Sequence, residues 1–514
     1  MKKRIMAMLP MLLLLVCFAI SLVGVAQVKA ADEKRVRYFE KVGNPYISDK
    51  DGKVQKVVWG YKDGKGNVVI PAKYKSVTSF HEGRAYVCDE SAEGWKLIDT
   101  EGRQVTDTLY YWYRTPTPFY QGVSIVATES EGSSVECFLI NKSGERITKQ
   151  SYEYIYLDEY DNYYVTSDNY SKSGVKSGVI DKNGKTLIDM TTKRLSRIAN
   201  VYCFSEYSDG SYYNEYYAQN GKKLASGKGI SVTALGNNIL IEQSGKKTIY
   251  NAKNGKKIRT LKSSVQIRSS SEEYGNQTKI FVYTDSGNKY GLCDKNGKII
   301  LKAKFTDNIA TSHDKYSIVT TRKGTQVSNS IYNEKGKCVA KFKPGEYVQA
   351  LPGNLFIVSY RDSAYKNHFR IVNAGKKNIV KEDTYDEIIQ KHSYDKEKGQ
   401  TYHYMTVTKN GKTGVLNMAG KVVIKPEFDT VSLQDGYFVV KKGNKEGLYT
   451  FNGKKILNTE YDMIFPRVSG VHDTYVSSNI YAKKDSSQEP FEYYEADGTL
   501  IGKLSAGIEG GIYY

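Results

Sequence analysis

Trp59-Gly60-Tyr61-Lys62-Asp63-Gly64-Lys65-Gly66-Asn67-Val68-Val69-Ile70-Pro71 reads as two short apolar strands folded about a glycine turn. Tyr74 follows, and Ala85-Tyr86-Val87 supplies another strand. Imperfect copies run to the C-terminus. Anchored on the turn glycine they stand at Gly66, Gly102, Gly144, Gly184, Gly221, Gly255, Gly297, Gly336, Gly375, Gly420, Gly453 and Gly498. The spacing averages about 39 residues, and a fixed period of that size means stacked supersecondary units.

Positions around the anchor repeat their chemistry. Three residues before it stand Asp63, Asp99, Asn141, Asp181, Asp294, Asn333 and Asn417. Asp or Asn opening a type I turn, with Gly at positive φ three residues later, predicts a hairpin turn with a glycine bulge. The residue after the anchor is basic in most copies, as at Arg103, Lys185, Lys298, Lys421 and Lys454. Six residues before the anchor, Gly60, Gly178, Gly291, Gly414 and Gly447 align, with Trp59, Trp95, Tyr290 and Phe491 at the preceding position of their copies. A strand glycine beside a large ring predicts a close approach of two backbones. Apolar runs such as Val422-Val423-Ile424 follow the turn, then an aromatic such as Phe428, then a further pair such as Tyr437-Phe438-Val439-Val440. The sum is about four short strands per unit.

These strings, with Gly178-Val179-Ile180-Asp181-Lys182-Asn183-Gly184-Lys185 and Ile424-Lys425-Pro426-Glu427-Phe428-Asp429, resemble the bacterial WG (or KWG) repeat. The resemblance spans about residues 57–505. It implies an all-β tandem array and no defined enzymatic activity. Four antiparallel strands in about 40 residues make a propeller-like blade. Twelve such blades exceed the usual single ring of four to eight, leaving two six-unit halves or an open β superhelix as alternatives. The polar stretch 263–278 is the expected connection between a first array, 31–262, and a second, 279–514. Lys391 to Gln400 reads as a long hairpin tip. No helix-period stretch appears after the N-terminal segment.

Lys2-Lys3-Arg4, an uncharged run from Ile5 to Ala26, and small residues at Val28-Lys29-Ala30 read as an export signal over residues 1–30. An uncleaved anchor is the alternative and would be the only membrane contact. The expected address is therefore secreted or cell envelope. Removing 1–30 removes four basic residues and no acid, so the net charge of +19 falls to +15. Much of that charge sits at turn tips spread round the molecule. It is poor evidence for one anionic partner, and no nucleic acid is expected. The tyrosine excess, 44 against 16 Phe and 3 Trp, favours strands. Of six cysteines, Cys17 lies in the export signal; the remaining five, Cys88, Cys137, Cys203, Cys293 and Cys338, are widely spaced and odd in number, which predicts buried single thiols rather than a disulfide framework.

No motif carries familiar chemistry. Gly184-Lys185-Thr186 and Gly411-Lys412-Thr413 lack the earlier glycine of a phosphate loop, with Val179 and Thr406 in its place. Asp49-Lys50-Asp51-Gly52 lacks the later acid of a calcium loop. The six histidines show no zinc spacing, so neither metal nor cofactor is expected. Asp386, Asp429 and Asp462 recur with the repeat and read as structural, whereas an active site is built once. Clustered tyrosines are the better lead. In Tyr110-Tyr111-Trp112-Tyr113, side chains alternate and one face should lie exposed. Tyr111, Trp112, Tyr113, Tyr163, Tyr164, Tyr213 and Tyr216 are the candidate ligand contacts. The expected function is a non-enzymatic scaffold binding a protein or a cell-wall glycan. A wall- or polysaccharide-acting hydrolase, and electrostatic attachment to anionic wall polymer or membrane, are the alternatives.

Overall fold

A computed structural model of the chain describes residues 35–42, 46–48, 52–89, 94–111, 114–129, 135–167, 174–268, 279–306, 309–311, 315–352, 354–395, 400–466, 479–485, 491–495, 497–504 and 507–509. The export signal, Trp112, Tyr113, and most of the polar stretch 263–278 lie outside them. Among the described residues there is no helix, and so none long and apolar enough to cross a membrane.

The chain folds as all-β repeats. Nine successive four-stranded antiparallel sheets run from Tyr154–Leu157 to Leu500–Leu504, one per repeat from the fourth to the twelfth. In each, the anchor turn joins the third strand to the fourth. Units one and two share a single sheet because Val68–Val77 is long enough to serve both. Its Tyr74 faces Trp59 on one side and Asp89 on the other. Unit three is the pair Val123–Glu129 and Val135–Asn141, extended by bridges to Arg146 and Tyr152.

The turns follow the predicted chemistry. In unit four the Gly184 N–H donates to the Asp181 carbonyl at 2.9 Å, and Asp181 Oδ1 accepts from the N–H groups of Asn183 and Lys185. Eleven of the twelve anchor glycines have φ between +66° and +90°. The ninth corrects the sequence reading. There Asn373 opens the turn and Lys376, not Gly375, takes the left-handed conformation with φ +65°. Asp181→Ala removes both side-chain bonds and is expected to cost about 1 kcal/mol, read as a lower denaturant midpoint at unchanged slope.

The aligned strand glycines do what their spacing predicts. A Cβ on Gly60 would sit 2.5 Å from the Ile70 carbonyl oxygen, and one on Gly414 would sit 2.6 Å from both the Ile424 oxygen and the Pro426 nitrogen. The pairing shows why. Between Thr413 and Val415 the third strand advances two residues, while its partner moves from Phe428 to Ile424. The outer strand therefore bulges inward over the glycine and carries the following aromatic into the core, where Tyr74, Phe428 and Tyr461 are buried. All five units with the glycine show this irregularity, at Gly60, Gly178, Gly291, Gly414 and Gly447. The third-to-fourth pairings of units five, six, eight, nine and twelve, without it, shift register only at the turn.

Second strands such as Tyr437–Lys442 are apolar without alternation because both faces are covered, one by each neighbouring sheet. Each seam between consecutive units has its own apolar cluster, twelve among the described residues. One joins units six and seven through Leu240, Ile249, Phe281 and Tyr283, so the sheets on either side of 263–278 pack together like any other pair. Another joins units twelve and one through Tyr493, Ile501, Val57 and Trp59. At that seam Phe39 meets Trp59 of its own sheet and Tyr493 of the last edge to face, and Gly507–Glu509 pairs in parallel with Val54–Lys56. Arg37, buried, donates to Glu495 from Nε at 2.9 Å and from Nη2 at 2.8 Å. The stack thus returns to its own first sheet, which is an end-to-end contact that a superhelix with free ends lacks.

Candidate functional site

The sandwiching of every sheet decides which tyrosines reach solvent. Tyr163 is buried in the seam between units three and four, and Tyr216 in that between five and six. Both rings face a neighbouring sheet, so neither is offered to solvent. Tyr111 and Tyr164 are half-buried, the latter hydrogen-bonded to Ser177 Oγ at 2.9 Å. Tyr164 belongs to a stack with Tyr156 and Tyr154, closed by the Arg114 guanidinium 4.5 Å above the Tyr154 ring. The Arg114 backbone N–H donates to the Tyr111 carbonyl at 3.3 Å, which sets Tyr111 close in the chain to this stack. Trp112 and Tyr113 lie outside the described residues.

Unit five places its aromatics differently. Along Val201–Ser208 burial gives way to exposure after Phe204, toward the hairpin tip. Tyr207 and Tyr212 face each other across it, 64% and 56% exposed, with ring centroids 5.1 Å apart. The sequence reading named Tyr213 and Tyr216 of this run and missed these two. The signal open to sequence reading is a tyrosine on each side of the Ser208-Asp209-Gly210-Ser211 turn. Tyr213 points to the other face of the strand, where the Lys193 ammonium lies 5.1 Å from its ring.

Beneath Tyr213, Glu215 occupies the place that glycine holds in the five regular units, three residues before the one that opens the turn. Without an inward bulge there is room for a side chain. Lys193 reaches Glu215 at 2.6 Å, Lys223 at 3.2 Å, and the Tyr217 hydroxyl donates at 2.6 Å. Burial opposes ionisation of Glu215, but these three partners outweigh it and hold its carboxyl down at about 2. The same place holds Lys96, Arg370 and Glu492 in units two, nine and twelve, and each is ion-paired, with Asp89, Glu346 and Lys503 respectively.

The acids considered as catalytic are engaged at repeat-equivalent places. Asp386 Oδ2 accepts the Asn410 N–H and Asp429 Oδ2 the Gly443 N–H, each at 2.7 Å, tying the start of the sheet to its own hairpin tip. Asp429 also takes Lys412 of the preceding unit, whose hydrogen bond holds its carboxyl below the usual range. Asp462 takes Lys445 in the same way. An open hollow of about 550 Å³ beside the unit-two turn is lined by Arg84, Asp99, Glu101 and Arg103. Arg103 pairs with both acids, and Arg84 donates to the Lys142 carbonyl. No cluster of three metal-ligating side chains occurs among the described residues, and the five cysteines among them are free thiols.

The family model of the WG-containing repeat matches residues 59–91, 290–319 and 414–445, within units one and two, seven and eight, and ten and eleven. No curated protein matches the chain. Among solved structures, Hsv2p of Kluyveromyces lactis is 13% identical with a TM-score of 0.24, covering 51% of this chain and 95% of its own. The WD40 domain of Toxoplasma gondii coronin is 10% identical with a TM-score of 0.21, covering 59% and 87%. AztD of Citrobacter koseri is 14% identical with a TM-score of 0.22, covering 59% and 93%. Such distant likenesses carry nothing about activity. The matched repeats, the glycine over which the outer strand bulges, and the recurring Asp/Asn turn make this chain a WG-repeat protein.

Proposed function

We propose that the protein is an exported scaffold that binds another macromolecule, a protein or a cell-wall glycan, through aromatic side chains on its hairpin tips. The observation that carries the reading is the Tyr207–Tyr212 pair. Single exposed apolar residues need no explanation, but two adjacent rings left in water at a hairpin tip do. Tyrosine offers a flat apolar face for a sugar ring or an apolar side chain, with a hydroxyl to fix orientation. The engagement of Asp386, Asp429 and Asp462 in inter-strand and inter-unit contacts favours this reading over a hydrolase. Export rests on the N-terminal segment and is tested by locating the protein in fractionated cells.

The test compares wild type with Tyr207→Ser/Tyr212→Ser on a glycan array and in pull-downs from envelope extracts. Neither side chain contributes to a core, so stability should stay unchanged. Affinity for the retained ligand should fall about tenfold or more, the equivalent of roughly 1.4 kcal/mol. Equal retention by a folded variant removes unit five as the binding site.

A further inference from the structure

Unit nine contains a cluster with no counterpart among the described residues of the other repeats. Its second-to-third strand tip, Asp362-Ser363-Ala364-Tyr365-Lys366, is a turn opened by Asp362, whose Oδ1 accepts the N–H groups of Ala364 and Lys366 at 2.9 Å. Tyr365 sits in the left-handed region with φ +65° while 74% exposed, a conformation that bulky residues resist. Asp383, after the outer strand, is also left-handed at φ +57°. His368 lies between the two strained segments. Its Nε2 is 3.1 Å from Asp362 Oδ2, and its Nδ1 is 3.0 Å from Asp383 Oδ1. Tyr360 on the neighbouring strand stacks on the imidazole at 4.6 Å.

Carboxylates only accept hydrogen bonds. Both ring nitrogens must therefore donate, and only the imidazolium can do that. A neutral ring would turn a lone pair toward one carboxylate. The other charged groups around it are committed. Lys366 lies 3.7 Å from Asp383, and Arg361 donates to the Tyr365 carbonyl. Glu382 takes the Tyr360 hydroxyl and Arg370, and Arg370 also reaches Glu346. The two carboxylates are thus the direct partners of His368.

We propose that His368 is a proton-operated clamp: charged, it ties the Asp362 turn to Asp383 and fixes Tyr365 at the tip, and loss of its proton releases the turn. The hydrogen bond to Asp362, joined by Asp383 and opposed by burial, raises His368 above its ordinary value of 6.5. The folded-state value is thus the higher one, so the clamp holds fully below 6.5 and is lost as pH rises through the raised value. The inference stands on unit nine alone and is independent of ligand binding at unit five.

The test is a proton NMR titration of the histidines in the full chain, with His368 assigned by His368→Gln, alongside hydrogen exchange of the 361–368 segment from pH 6 to 9. His368 should titrate above 6.5, and Asp362→Asn and Asp383→Asn should each lower its midpoint. Protection of the tip, corrected for the intrinsic pH dependence of exchange, should drop through that midpoint in wild type. It should be low and flat in His368→Gln. A midpoint at or below 6.5, or protection that ignores loss of the proton, overturns the clamp.

Discussion

Glu495→Ala is expected to lower stability by about 3–5 kcal/mol, the cost of removing the carboxylate paired with a buried cation. The cation is Arg37, 4% exposed, which Glu495 holds from both carboxylate oxygens. Burial alone would disfavour the charged guanidinium. Glu495 outweighs burial, and Arg37 holds its proton more tightly than usual. The pair joins the first sheet to the last, so its loss should weaken that seam before any other. Thermal unfolding should begin earlier, and limited proteolysis should cut first within units one and twelve. Replacing both residues, as Arg37→Met with Glu495→Gln, removes the charge with its partner and should cost much less than Glu495→Ala alone. If Glu495→Ala melts at the wild-type temperature, the seam does not depend on this ion pair.

Gly414→Val should cost about 2–3 kcal/mol by overpacking, because the atoms it meets are backbone and cannot rotate away. The new Cβ falls within 2.8 Å of Lys425 C as well as on the Ile424 oxygen and the Pro426 nitrogen. Relief requires the outer strand to lift off the third strand, which would withdraw Phe428 from the core it shares with Phe438 and Val440. Gly411→Ala, on the exposed tip of the same unit, is the control. It has φ +70° and nothing within 4 Å, so it should cost only the conformational strain of about 1 kcal/mol. Chemical denaturation of the two variants decides the matter, and equal losses would mean that the close approach is not what requires glycine at this place.

Much of this architecture is legible in single residues. Asp181 and Gly184 state their turn because the side-chain oxygen and the left-handed backbone are local requirements. Gly60 and Gly414 state a backbone contact, since no other residue fits beneath the bulge. The ninth turn misled because glycine is only the easiest occupant of its position. Asn373 sets the turn, and Lys376 tolerates the strain. The tyrosines were less legible. Whether Tyr163 or Tyr212 meets water depends on how far the adjacent sheets reach, and strand alternation says nothing of that. Glu215 could have been noticed as an acid standing where the repeat asks for glycine. Its two lysines come from outside its own strand, and only the folded chain brings them together.

The contact between the last unit and the first changes what the ends of the molecule have to be. Linear solenoids require capping repeats with a polar outer face, because each end would otherwise present half a core to solvent. Here Trp59 and Ile501 share one buried cluster, so neither the first nor the twelfth unit leaves that apolar side open. The same burial withdraws from solvent the apolar surface through which open stacks join head to tail.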